Sequence, residues 1–297
     1  MQDPNQADQR GYLNEGFRLF YLKDALAQTV DYHYHIFDKL ILFLGGKVTY
    51  VVEGVSYFLQ PWDLLLVPRS LIHRPIIEAS PPYERGVLWL NREWLEKNSR
   101  PGAALDACFI RAREKGFHLL RIPPERRLQY MRDIQRLREE QLSEEFGAAQ
   151  MADALCQQFL LEVNRDALRS RTAQEQKDSY QVDPKMEKIL KFIASHLEEE
   201  LTVESLAGRF YLSRYYLMHR FKAVTGCTVH QYINQKRLLR AGELIRAGEP
   251  VMKAAEQAGF CEYSTFLRAF RSAFHMSPRN FQKSGTGFGG EEWKDSL

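Results

Sequence analysis

Apolar residues in the first third of the chain fall in short runs broken by turn residues. Leu40–Leu44 is one such run, and Gly45-Gly46 ends it. Lys47–Val52 alternates β-branched and aromatic residues with others, Glu53-Gly54 turns, and Val55–Leu59 resumes, which is the pattern of a β-hairpin. Gln60-Pro61-Trp62-Asp63 turns again before Leu64–Val67, and His73–Ile77 and Arg85–Leu90 are further strand-length runs. Many short strands over residues 12–90 predict a sandwich or small barrel. Residues 91–121 are mixed, with a short helix at Asn91–Asn98 and a strand at Phe117–Ile122. From Pro123 the period becomes helical: Leu128, Met131, Ile134 and Leu137, then Met151, Leu155, Phe159 and Val163, with Gly147 between the two sets. That predicts a helical hairpin over 123–170, after an N-terminal domain of 1–122. The polar stretch 171–183 reads as a linker. From 184 to 284 the stripes are all helical: Lys185–Leu197, Val203–Phe210, Ser213–Val224, Val229–Ala247, Val251–Ala258, Tyr263–Phe274 and Pro278–Lys283. Residues 285–297 read as a disordered tail.

Composition narrows the class. With 297 residues, 44% hydrophobic and 27% charged, the chain is an ordinary globular one and neither fibrous nor disordered. Its apolar runs are too short for a membrane span, and Met1–Arg10 has no signal core, so a cytoplasmic protein with no membrane partner is expected. Cys108, Cys156, Cys227 and Cys261 are far apart, which argues against a zinc cluster or a disulfide framework. The net charge of +3 hides an asymmetry: residues 184–284 carry 16 Lys and Arg against 9 Asp and Glu. A basic C-terminal third is the footprint of a nucleic-acid partner. No G-x-S-x-G, P-loop or dinucleotide fingerprint occurs, and no enzymatic activity or cofactor is expected.

The basic region repeats itself at about 48 residues. Ala207-x2-Phe210-x-Leu212-Ser213-x3-Leu217-x3-Phe221-Lys222 aligns with Ala255-x2-Ala258-Gly259-Phe260-x5-Phe266-x3-Phe270-Arg271, one residue longer in its turn. Each copy is a short helix, a tight turn and a longer helix, the plan of a helix-turn-helix. Leu217/Phe221 and Phe266/Phe270 would be buried. The opposite faces would then show Arg214, Tyr215, Tyr216, His219, Arg220 and Lys222 in the first copy, and Tyr263, Ser264, Thr265, Arg268 and Arg271 in the second. These are donors and aromatics suited to bases and phosphates, with no carboxylate among them. The rival reading is two solvated faces of a bundle, although such faces usually mix charge signs. The long helix between the copies would hold two recognition helices about one DNA turn apart, roughly 34 Å. Lys236, Arg237 and Arg240 on it would either touch phosphates or be solvated.

Leu206-Ala207, Leu212-Ser213, Leu217, Phe221-Lys222, Gly226, Tyr232-Ile233, Arg237, Ala241, Leu244-Ile245, Ala255, Gly259-Phe260, Phe266, Phe270 and Ser277-Pro278 together resemble the DNA-binding domain of the AraC/XylS family of transcription regulators. Tyr211 and His275 stand where that family often has glycine. The resemblance implies sequence-specific binding to double-stranded operator DNA and transcription regulation, more often activation. It adds RNA polymerase as a further candidate partner, and a homodimer formed through the hairpin.

His33-x-His35 and His73 could converge on one face of neighbouring strands, a spacing that resembles the cupin barrel. The fold class that follows is α+β with two domains: a cupin-like β-barrel plus helical hairpin, then an all-α domain with two helix-turn-helix motifs. Metal-binding cupins carry an acidic residue where this chain has Lys39, so no metal is expected; Asp38 would face away. The histidines are then either hydrogen-bonding groups of a small-molecule pocket or satisfied structural residues. In the pocket reading an effector is bound by His33, His35, Lys39, Tyr50, His73 and Trp89, with Trp62 a further stacking surface. A sugar or sugar acid is the expected effector, Lys39 favouring an acid. The alternative is a metal-dependent cupin enzyme fused to a DNA-binding domain.

Overall fold

The computed structural model describes residues 13, 15–25, 30, 32–169, 179–274 and 276–284. His275, the 285–297 tail and most of the expected linker lie outside the described residues. The chain forms two compact units that divide between Asp183 and Pro184.

The first unit contains strands β1 (Phe17–Asp24), β2 (Asp38–Gly45), β3 (Val48–Val52), β4 (Val55–Phe58), β5 (Asp63–Val67), β6 (His73–Ile77), β7 (Tyr83–Leu90), β8 (Leu119–Arg121) and β9 (Tyr180–Gln181). One antiparallel sheet has the order β1-β7-β2-β5-β8, and the other β6-β3-β4-β9. The run Asp38–Phe43 is buried throughout because both faces of its sheet are covered. Successive side chains alternate across the sheet. Leu40, Leu42, Leu64, Leu66, Leu88 and Leu90 therefore pack toward one core, and Ile41, Phe43, Leu65, Val67, Val87 and Trp89 toward another. The second core is closed by Val48, Tyr50, Val52 and Tyr57 from the four-stranded sheet. Among the described residues no strand ladder closes the two sheets into a barrel. The closed barrel expected from the sequence is replaced by two facing sheets.

The first core is covered by helices α1 (Arg92–Asn98), α2 (Ala107–Lys115), α3 (Pro124–Leu142) and α4 (Ala148–Arg169). Tyr130, Ile134 and Leu137 from α3 meet Leu155, Phe159 and Val163 from α4 in that core. Leu128 and Met151, which the periodicity placed in these stripes, are exposed. Tyr130, not Leu128, holds the inward position. Its hydroxyl donates to Asp166 at 2.8 Å, and Arg126 donates to the same carboxylate at 3.1 Å. The hairpin thus packs on its own sheet.

The expected linker 171–183 departs from the structure at its end. Tyr180 and Gln181 form β9, paired with Tyr57 and Ser56 of β4. Ser179 accepts a hydrogen bond from Arg121, whose guanidinium also donates twice to the buried Asp63, at 2.8 and 3.2 Å.

The second unit comprises α5 (Pro184–Ser195), α6 (Val203–Arg209), α7 (Arg214–Thr225), α8 (Val229–Arg246), α9 (Val251–Gln257), α10 (Tyr263–Phe274) and α11 (Pro278–Ser284). Local chemistry sets these ends. Thr202 and Thr228 form capping boxes with Ser205 and Gln231, and Ser213 caps α7 by accepting from the Tyr216 N–H. Both short-helix turns close the same way. Leu212 N–H donates to Ala207 and Tyr211 N–H to Gly208; Phe260 N–H donates to Ala255 and Gly259 N–H to Glu256. Each is a Schellman motif, which requires a left-handed residue after the helix. Gly259 supplies it at φ +93 in the second copy, and Tyr211 at φ 54 in the first.

Candidate functional site

The candidate reading faces are built on α7 and α10. Leu217 and Phe221 anchor the inner side of α7, and Phe266, Phe270 and Phe274 that of α10; all are buried. The helical period then turns Arg214, Tyr215, Tyr216, His219, Arg220 and Lys222 outward on α7, and Tyr263, Ser264, Thr265, Arg268 and Arg271 outward on α10. All eleven side chains are exposed. The Tyr215 and His219 rings lie 4.3 Å apart on consecutive turns. Arg214 is tied to Glu204 of α6 at 2.9 Å. This carboxylate borders the first face, although the sequence reading found none among the face residues themselves. The Glu204 carboxyl is held below its usual range by that hydrogen bond.

Of the three cations on α8, Arg237 has a third role that neither sequence reading considered. Its Nε donates to the Leu197 carbonyl at 2.9 Å and its Nη2 to the Glu199 carbonyl at 2.7 Å. The turn of the second copy meets the same point: a Cβ on Gly259 would stand 1.9 Å from the Leu197 oxygen and 2.7 Å from Arg237 Nε. Arg237 therefore clamps three segments: the loop after α5, the middle of α8 and the turn before α10. Burial pulls its guanidinium pKa down. Arg240 lies 3.9 Å from Glu243, and Lys236 stands 5.4 Å from the Tyr232 ring.

In the first unit the three histidines do come together. His33 and His73 exchange backbone hydrogen bonds at 3.0 and 2.9 Å. The ring centroids of His33, His35 and His73 are 4.4 to 5.1 Å apart. His35 also stacks on Phe37 at 4.4 Å. His73 Nδ1 lies 2.8 Å from the Leu71 carbonyl, which can only accept, so Nδ1 carries the proton and Nε2 presents a lone pair. Burial holds both His35 and His73 well below the usual imidazole range; the Lys39 charge adds to this at His35, and His33 and Lys39 at His73. Asp38 faces the other way, as expected, and is paired to Arg69 at 2.6 Å.

The donor set bears on a metal in two opposed ways. One nitrogen from each histidine lies within 4.8 Å of the others, close enough to converge on one ion. Yet Lys39 faces the same interior and its charge acts on two of the three rings. Among the described residues no carboxylate joins the cluster. The charge of the site therefore opposes a divalent cation.

Beside the histidines lies a cavity of about 50 Å³ between the two sheets. His33, Lys39, Tyr50 and Trp89 line it, four of the six residues expected to bind an effector. His35 and His73 stand behind that lining. Trp62 is elsewhere: it packs against the helix-side core, with Arg127 5.5 Å from its ring. Arg85 and Tyr83 also line the cavity, and sequence reasoning missed both. The signal that could have found them is the β2–β7 register, which sets Arg85 opposite Phe43 and Lys39 opposite Trp89.

A helix-turn-helix domain family model matches residues 206–284. The regulatory protein SoxS of Escherichia coli is 32% identical over 95 residues, which span 89% of SoxS and 32% of this chain. The chain belongs to the AraC family. Other AraC-type relatives are longer. PocR of Salmonella typhimurium is 31% identical and the transcriptional activator RhaS of Citrobacter koseri 34%, each over 102 residues. The chain matches only 34% of PocR and 37% of RhaS. The match covers both helix-turn-helix copies, and Tyr211 adopts in the first the left-handed conformation that Gly259 supplies in the second.

Proposed function

We propose that this chain is a sequence-specific, DNA-binding transcription regulator of the AraC type whose N-terminal unit answers to a small molecule. The observation that carries the reading is the duplicated helix-turn-helix, in which α7 turns Arg, Tyr, His and Lys side chains to solvent and α10 turns Tyr, Ser, Thr and Arg side chains. Family membership through SoxS supports it. In this reading Arg214, Tyr215, Tyr216, His219, Arg220 and Lys222 meet one stretch of major groove, and Tyr263, Ser264, Thr265, Arg268 and Arg271 the next. Arg220 and Arg268 are the base readers. Residues 184–284 form the DNA-binding domain and 1–122 the effector domain, with the 123–170 hairpin as the dimer contact. The exposed Leu128, Leu142 and Met151 are the apolar residues it offers a second copy. Activation through RNA polymerase and a cytoplasmic location belong to the same reading.

The effector is a sugar or sugar acid in the terms of the sequence reading, held by His33, Lys39, Tyr50 and Trp89 with His35 and His73 behind them. A coupling of about 1–3 kcal/mol between effector and DNA sites would suffice for control. The rival reading, a metal-dependent enzyme, is disfavoured by the Lys39 charge beside the histidines.

The test is operator selection from random DNA followed by footprinting. Arg220→Ala and Arg268→Ala should each cost about 1–3 kcal/mol and relax preference at a separate set of base positions. Footprints identical to the parent's in both variants would reject the assigned recognition helices.

A further inference from the structure

We propose that Tyr211, which lies outside both assigned reading faces, donates its phenol hydroxyl to a DNA phosphate at the rim of the groove that α7 enters; this rests on the DNA-binding reading above. Among the described residues four non-glycines hold a positive φ: Glu53, Trp62, Ser70 and Tyr211. In a residue with a Cβ that conformation is strained and persists only where something holds it or uses it. For three of them the fold supplies the reason. Glu53 accepts the Ile72 N–H at 2.8 Å, and Trp62 packs against the helix-side core. The half-buried Ser70 donates its N–H to the His35 carbonyl at 2.8 Å. Tyr211 differs. Its backbone closes the Schellman turn at φ 54, a task glycine performs without strain. Its side chain is 95% exposed, so the ring buries almost no apolar surface. The fold therefore gives no reason for a tyrosine at this point.

The second copy shows the contrast. A Cβ on Gly259 would stand 1.9 Å from the Leu197 oxygen, so that turn is packed against protein and has room only for glycine. The first turn is open. A Cβ on Gly208 would meet nothing within 4 Å, and Arg209, Ser213 and Arg214 are exposed beside it. Tyr211 comes just before Ser213, the N-cap of α7. A recognition helix that offers its first turn to base edges leaves the chain entering it at the rim of the groove, where the acceptors are phosphate oxygens. The charges around the turn suit an anion: Arg209 and Arg214 flank it, and the nearby Glu204 carboxylate is paired with Arg214 at 2.9 Å. A phenol is a neutral donor able to bond a phosphate oxygen, and such bonds fix register without reading bases.

The experiment measures binding of the full chain to the selected operator duplex, and to the same duplex with single methylphosphonate substitutions along the backbone beside the α7 site. Tyr211→Phe removes only the hydroxyl, and Tyr211→Gly removes the whole side chain while relieving the turn. Both should weaken operator binding about threefold to tenfold. The factor should be the same on operators with altered bases, as a backbone contact requires. The salt dependence should not change, since a neutral donor displaces no counterion. At one phosphate, the methylphosphonate should weaken the parent by that same factor more than it weakens Tyr211→Phe. Parent-like binding by Tyr211→Phe overturns the proposal. So does a loss confined to Tyr211→Gly, which would assign the ring and not the hydroxyl to DNA. A loss that varies with base sequence overturns the backbone assignment. A parent chain that selects no operator and binds no duplex would overturn the DNA-binding reading itself.

Discussion

In the helical unit the residues singled out from the sequence stand on the outside of α7 and α10, held there by Leu217 and four phenylalanines on the buried faces. In the sheet unit they stand between two sheets, with His35, His73, Lys39 and Trp89 all buried. The first arrangement suits a partner too large to enclose. Its geometry is set by caps, turns and a clamp, and its side chains are replaceable without touching a core. The second suits a partner small enough to be enclosed, and there the residues proposed for recognition are also part of the packing. Substitutions should therefore separate function from stability in the helical unit and confound them in the sheet unit.

The largest effect expected is at the turn before α10. Gly259→Ala forces a Cβ to within 1.9 Å of the Leu197 carbonyl oxygen at φ +93, so the helical unit should lose roughly 4 kcal/mol or more. Denaturant unfolding of the full chain, followed by a probe in each unit, would show the loss confined to the helical unit. A loss under 1 kcal/mol would mean the turn can shift, and the close packing of that turn on Leu197 and Arg237 would not hold it in place.

Acid should separate the units next. Burial pulls His118 down to about 4, and holds His35 and His73 well below the usual range. A histidine with a lowered folded pKa stabilises the fold fully above its unfolded value near 6.5, and that contribution is lost as pH falls toward the folded value. His118 alone corresponds to roughly 3 kcal/mol over that window. In the helical unit the described histidines, His196, His219 and His230, are not buried. Melting between pH 7.5 and 4.5 should show the sheet unit weakening first. Parallel loss in both units would contradict this.

Arg237→Met tests whether a basic residue on α8 acts inside the protein or on phosphate. Loss of two hydrogen bonds to carbonyls, at 2.9 and 2.7 Å, should cost about 1–3 kcal/mol of stability. The salt dependence of DNA binding should not change. A phosphate contact would instead lower the slope of log affinity against log salt by about 1. The smallest effect is expected at the equivalent turn of the first copy, before α7. Tyr211 is 95% exposed at φ 54, so Tyr211→Gly should alter stability by less than about 1 kcal/mol. It relieves strain and adds unfolded-state freedom, and the two effects oppose one another.

The units also differed in how readily their sequences could be read. The helices of the second are written in short-range signals: stripes at helical spacing, Ser213 and Thr228 as caps, Gly226 as a stop. Their predicted bounds fall within about two residues of those observed. The strands of the first were also legible, because Gly and Pro punctuate them. What was not legible depends on pairing across long separations. Lys39 and Trp89 are fifty residues apart, and only the register makes them neighbours. α2 was missed because its charged run Arg111–Lys115 masks the buried Cys108, Phe109 and Ala112. Arg237 looked like any surface cation, since its carbonyl partners lie some forty residues upstream.

The two-residue strand β9 has a consequence for anyone who cuts this chain, and for the order in which it folds. Composition invites a cut near residue 170, where the polar stretch begins. Such a fragment would lack Tyr180, which packs on Phe117 at 5.2 Å and pairs beside Tyr57, and it would leave the outer edge of β4 bare. A bare edge strand invites pairing with another chain. On the ribosome the same edge stays open until residue 181 has emerged, so the sheet unit cannot be finished before its last dozen residues are made. A fragment ending at Asp183 should stay monodisperse where one ending at residue 170 aggregates.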